Sequence, residues 1–116
     1  MRLYIYNIMF NKLAALNKVS RDLNFEIKIL ESDNLHQSIE YITGKTKNVK
    51  PGKDVDCTIK ELLLFDGFSD KDLDEFLALY KKTGAPAIAY KATITPINLK
   101  WSPSYLYKHL QAEIGG

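Results

Sequence analysis

Two short stretches of this chain are apolar on every face, and they limit what it can fold into. Leu3 to Ile8 is apolar or aromatic except at Asn7, and Leu62, Leu63, Leu64 and Phe65 form an unbroken run within Glu61 to Phe65. A strand with one wet face alternates apolar and polar residues, whereas a continuous apolar strand needs cover on both sides. Both runs therefore belong at the centre of a sheet.

Helical periodicity separates the strands. Leu13, Leu16, Val19 and Leu23 mark an amphipathic helix over Asn11 to Leu23, and Phe25, Ile27 and Ile29 alternate with Glu26 and Lys28 as an edge strand. A second helix is expected over Asn34 to Thr43, with Ser32 or Asp33 as cap and Gly44 as a left-handed stop. Ser69 with Asp72 predicts a capped third helix whose inward stripe is Leu73, Phe76, Leu77 and Tyr80, closing at Lys81, Lys82 and Gly84. A fourth strand is expected over Ala87 to Ile94. Ser102 and Pro103 then open a last helix reaching about Glu113.

This alternation predicts an α/β fold with about four mainly parallel strands in the order 2-1-3-4 and flanking helices. The alternative is a ferredoxin-like α+β arrangement. No internal repeat is evident. With 116 residues, 46% hydrophobic and 26% charged, the chain reads as a single domain over 1–116. Within it, 1–44 is a strand-helix-strand-helix half, 45–57 a loop carrying Lys45, Lys47, Lys50 and Lys53, and 58–116 a second such half.

Composition excludes several function classes. A formal net charge of +2 does not mark a nucleic-acid binder, and no run reaches the length of a membrane span. Leu3 to Phe10 lacks an unbroken apolar region and a cleavage site, so no export signal is expected. The single cysteine, Cys57, rules out an intrachain disulfide and indicates a reducing, cytoplasmic setting. His36, His109 and Cys57 lack the paired spacing of a metal site. No nucleophile elbow, phosphate-binding glycine loop or dinucleotide fingerprint occurs. Tyr4 and Tyr6 lack the partner motif of an RNA-recognition sheet, and Asp66 lacks the acidic neighbours of a phosphate-accepting aspartate, so it reads as a turn residue beside Gly67.

Polar chemistry concentrates between Thr93 and Pro103, where Thr95, Asn98, Lys100 and Trp101 fall together. In a parallel sheet, loops at strand carboxyl ends form binding sites, and the switch-point crevice would lie near Asn7, Asn11 and Asp66. A purely architectural role for Thr95, Asn98 and Trp101 is the competing reading.

The segments Leu63-Leu64-Phe65-Asp66-Gly67-Phe68-Ser69 and Lys91-Ala92-Thr93-Ile94-Thr95-Pro96, followed by Asn98 and Trp101, resemble the bacterial family called domain of unknown function 3783 over roughly Leu62 to Leu110. Tyr6-Asn7 and Gln37 to Gly44 look like the amino-terminal part of its short members. The resemblance implies a small bacterial intracellular protein and supplies no activity. The sequence thus predicts a non-catalytic binding or regulatory module for a small ligand or protein partner, contacting Asn7, Gln37, Lys91, Thr95, Asn98, Lys100 and Trp101. It needs no cofactor or metal, no specific nucleic acid and no membrane, and an edge strand leaves a homodimer open. The alternative is an enzyme acting on a small anionic substrate bound by Lys91 or Lys100, with Asp66 as base.

Overall fold

In the computed structural model, which describes residues 1–49 and 52–114, the two apolar runs become neighbouring central strands. The sheet holds β1 (Arg2–Tyr6), β2 (Glu26–Ile29), β3 (Leu62–Asp66) and β4 (Lys91–Thr93) in the order β2-β1-β3-β4. Leu3, Tyr4 and Ile5 of β1 and Leu62 to Phe65 of β3 are all buried, as continuous apolar runs require.

β1 pairs with β2, and β3 with β4, in parallel, but the central β1–β3 pair is antiparallel. The fold is α/β and mostly parallel, as expected, yet the crevice predicted between β1 and β3 does not form. Arg2 pairs with Asp66 and Tyr6 with Leu62, so Asn7 and Asp66 leave the sheet at opposite ends. Hydrophobic periodicity carries no strand direction, and residues 30–60 intervene before β3, so the sequence leaves the choice open.

The antiparallel centre exposes a repeat that the side chains conceal. β1, α1 (Phe10–Leu23) and β2 are matched by β3, the helix over Asp70–Lys82 and β4, with corresponding positions sixty residues apart through the strand and the helix and a longer connection to β4. Asn7 and Gly67 follow the strands at φ 55° and 77°, Phe10 and Asp70 open the helices, and Asn24 and Gly84 close them at φ 57° and 76°. The directly opposed pair Tyr4–Leu64 also differs by sixty, so a pseudo-twofold axis runs through the middle of the sheet. Asn and Gly tolerate the left-handed backbone for different reasons, which hides the correspondence in a residue-by-residue reading.

The chain divides into two compact units, Met1–Ile29 with Glu61–Thr93, and Leu30–Lys60 with Ile94–Gly116. The first contains the sheet. Leu3, Ile5, Leu63 and Phe65 share its core with Leu16 and Val19 of α1 and with Phe76 and Tyr80 of the third helix. Phe65 meets Phe76 edge-on at 4.9 Å, and Phe25 meets Phe68 at 5.3 Å, the geometry that aromatic quadrupoles favour. Leu77, expected inward, is 46% exposed.

The second unit begins with a departure from expectation. Instead of one helix over Asn34 to Thr43, a 3₁₀ turn (Ser32–His36) is followed by the single-turn α2 (Ile39–Ile42). Gln37 and Ser38 between them are extended. Ser38 Oγ accepts the Tyr41 amide, and the Ile39 amide donates to the Trp101 carbonyl at 2.8 Å, a bond from outside the segment that local propensity does not contain.

The later helices follow their caps. α3 (Asp70–Lys82) carries the full Ser69–Asp72 capping box, and α4 (Pro103–Ile114) starts after Ser102, whose Oγ accepts the Tyr105 amide. β4 is shorter than the expected Ala87 to Ile94. The Leu63 amide bonds the Tyr90 carbonyl and β3 begins at Leu62, so residues 87–89 extend past the end of their neighbour and have no ladder to join.

Candidate functional site

Three segments of the second unit are joined through their backbones. Lys53 N–H donates to the Lys100 carbonyl at 2.9 Å, Ser102 N–H donates to the Lys53 carbonyl at 2.8 Å, and Ile39 N–H reaches the Trp101 carbonyl. Gly52 makes this approach possible, because a Cβ there would lie 2.0 Å from the Lys100 carbonyl oxygen. The expected lysine-rich loop is thus pinned at Gly52 and Lys53, while Lys50 and Pro51 lie outside the described residues.

Side chains reinforce the junction. Ser102 is fully buried and donates to Asp54 Oδ1 at 2.6 Å, while His36 Nδ1 lies 2.8 Å from Asp54 Oδ2. Partial burial acts to raise the Asp54 pKa, but hydrogen bonds from Ser102, His36 and the Val55 amide outweigh it and hold the carboxyl below its ordinary value. Serine, aspartate and histidine meet here, but in the wrong order for nucleophilic catalysis. The serine hydroxyl donates its hydrogen bond to the aspartate, which lies between it and the imidazole, whereas an activated serine donates to histidine. This cluster is a brace.

A cavity of about 540 Å³ opens beside it. Lys45, Lys53 and Lys100 line it against one carboxylate, Glu40, with Ser38, Thr46 and Asn48 adding short polar groups. Lys100 Nζ lies 2.8 and 2.9 Å from the Glu40 oxygens, and the Glu40 carbonyl accepts the Lys45 amide at 2.8 Å. Three ammonium groups against one carboxylate give the walls a positive field.

The residues expected from sequence distribute unevenly. Gln37, Thr95, Asn98, Lys100 and Trp101 fall in the second unit, and Asn7 and Lys91 in the first. Of these, Lys100 lines the cationic cavity. Thr95 and Asn98 turn on each other: the Thr95 amide donates to Asn98 Oδ1 at 2.9 Å, and the Asn98 amide to Thr95 Oγ1 at 3.3 Å. Gln37 Oε1 accepts from Asn34 at 2.9 Å, and Trp101 stacks on His109 at 4.6 Å and meets Tyr105 edge-on at 5.0 Å. These contacts support the architectural reading of the segment.

Lys91 sits at the start of β4, paired with Leu63, while Asp66 ends β3. At about 3.3 Å per residue they are roughly 10 Å apart along the sheet and do not form an acid–base pair. Asp54, Glu40 and Lys53 were not singled out as site residues from the sequence, because contacts between positions some fifty apart leave no local periodic signal. Burial raises the Cys57 thiol pKa and disfavours the thiolate, and its Sγ lies 3.5 Å from the Ser104 carbonyl. Among the described residues, no group of three metal-ligating side chains comes together, and no helix is long and apolar enough to cross a membrane.

The comparisons bear on the carboxyl-terminal stretch. Residues 61–114 match the family model of the Domain of unknown function (DUF3783). The resemblance read from Leu63 to Ser69 and from Lys91 to Trp101 therefore holds. The match runs through β3, α3, β4 and α4, and the similarity expected for Tyr6-Asn7 and Gln37 to Gly44 falls outside it. The DUF3783 description names no activity. No curated protein and no solved structure matches the chain.

Proposed function

We propose that this protein is a non-catalytic binding module that holds a small anionic ligand in the cavity of its second unit. The observation that carries the reading is the cavity wall, whose described lining residues include Lys45, Lys53 and Lys100 and the carboxylate of Glu40. A volume of about 540 Å³ lies within the range of small-ligand sites, and Ser38, Thr46 and Asn48 offer hydroxyl and amide groups to fix an anion's orientation. Lys100 is 72% exposed, so its ion pair with Glu40 is screened and worth at most about 1 kcal/mol, and an anion competes for it readily. Binding without catalysis is favoured because the Ser102 hydroxyl donates its hydrogen bond to the Asp54 carboxylate rather than to the His36 imidazole.

Titration with inorganic phosphate, pyrophosphate and citrate, followed by calorimetry and thermal unfolding, tests the proposal. At least one anion should stabilise the protein, with Lys53→Ala and Lys100→Ala weakening the effect and the exposed Lys71→Ala leaving it unchanged. Absence of binding by all three anions, or binding equally sensitive to Lys71→Ala, overturns the reading.

A further inference from the structure

The first unit contains a cavity of opposite character, about 280 Å³, reaching the aromatic core. Leu63, Phe76, Tyr80 and Ile88 form its interior, at 0%, 1%, 8% and 3% exposure, and its only charged lining residues are Lys81 and Lys91. We infer that this cavity binds a small apolar carboxylate, its hydrocarbon against Leu63, Phe76 and Ile88 and its carboxylate held by Lys81 and Lys91.

The internal repeat explains why the space exists. After the left-handed residue that ends each helix, the first repeat places Phe25, 8% exposed and packed on Phe68 and Phe76. The second repeat places Ala85 at the corresponding position, and Ala85 lines the cavity. The connection to the next strand is also longer, because Leu3 pairs with Ile27 but Leu63 with Lys91. A longer connection with the small residues Ala85 and Ala87 replaces a large aromatic, leaving an apolar recess beside the sheet edge.

The polar groups around the recess are arranged for an anion. The Tyr80 hydroxyl donates to the Pro86 carbonyl at 2.7 Å, which leaves the interior apolar. Burial raises the Tyr80 pKa, with a smaller contribution from Glu61, which is itself tied to Lys12 at 3.0 Å. Lys91 Nζ donates to the Ile88 carbonyl at 2.5 Å, which holds the ammonium at the cavity while two of its three protons remain for a ligand. Lys81 makes no ion pair among the described residues. The volume lies just below the usual range of ligand sites, so the ligand is a short-chain or single-ring acid.

Methyl NMR titrations with hexanoate and benzoate test the inference, with hexylamine and inorganic phosphate as comparisons. Hexanoate or benzoate should shift the Leu63, Leu77 and Ile88 methyl signals, and Lys81→Met with Lys91→Met should weaken that binding by about tenfold or more. Ala85→Leu should fill the recess and abolish binding, and Ala87→Leu serves the same purpose if the first variant does not fold. Unmoved methyl signals with both acids in the unaltered protein overturn the inference, as does hexylamine binding as tightly as hexanoate or unchanged binding in a folded, cavity-filled variant. The site is independent of the cationic cavity, so phosphate binding neither supports nor removes it.

Discussion

Replacing Asp54 by alanine removes the acceptor on which the second unit's junction turns, and the cost follows from its contacts. The Ser102 hydroxyl donates to a charged oxygen at 2.6 Å, a class of bond contributing about 1.5–3 kcal/mol, and Ser102 is fully buried, so losing the acceptor leaves its O–H donor unpaired while Oγ still accepts the Tyr105 amide. The His36 pair is more solvated, at 47% and 31% side-chain exposure, and adds at most about 1 kcal/mol. Asp54→Ala should therefore cost about 2–3 kcal/mol, or roughly 10 °C in melting temperature for a chain of this length. Asp54→Asn keeps an acceptor for Ser102 and should cost about half as much. Urea unfolding followed through Trp101, the chain's only tryptophan and a member of the same unit, measures these values. A double-mutant cycle with Ser102→Ala should show coupling of about 1–2 kcal/mol. A loss below about 0.5 kcal/mol for Asp54→Ala, or additive single changes, would refute the argument that this bond braces the junction.

The lowered Asp54 pKa makes a related prediction: its stabilisation is present above the ordinary carboxyl value of 3.8 and lost as pH falls through the lowered folded value, a dependence that acid titration should find missing in Asp54→Asn. Gly52→Ala should destabilise the second unit by about 2 kcal/mol or more, because the new Cβ meets the Lys100 carbonyl rather than a side chain that could move; urea unfolding through Trp101 measures it. Ser69→Ala removes the hydroxyl that accepts the Asp72 amide and should lower helix stability and melting temperature more than Lys71→Ala, by circular dichroism. Cys57 should alkylate slowly at neutral pH in the folded protein and rapidly in denaturant, since burial disfavours its thiolate.

Residues at 61–114 were the most legible part of the chain. The Ser69–Asp72 box, the Ser102 and Pro103 start and the buried Leu62 to Phe65 run each express a local rule of capping or burial, and each appears in the structure. Failures occurred where a distant partner intervened. The Asn34 to Thr43 helix breaks where the Trp101 carbonyl takes the Ile39 amide, and the expected fourth strand loses its first residues because β3 begins only at Leu62. Neither partner is visible within a window of the sequence.

The candidate sites show the same division more sharply. Lysine, threonine and asparagine types between Thr93 and Pro103 signalled a polar junction, but not that Thr95 and Asn98 bond each other's amides, nor that Lys53 and Glu40 join Lys100 at a cavity. The sequence by itself determined which strands are central and where α3 and α4 start, because burial period and end-capping act over a few residues. Only tertiary structure decided that β1 and β3 run antiparallel, that Ser102 donates to Asp54 and that Ala85 leaves a recess where its repeat counterpart places Phe25. Those outcomes depend on chain direction and on contacts between remote positions, and neither leaves a trace in local periodicity.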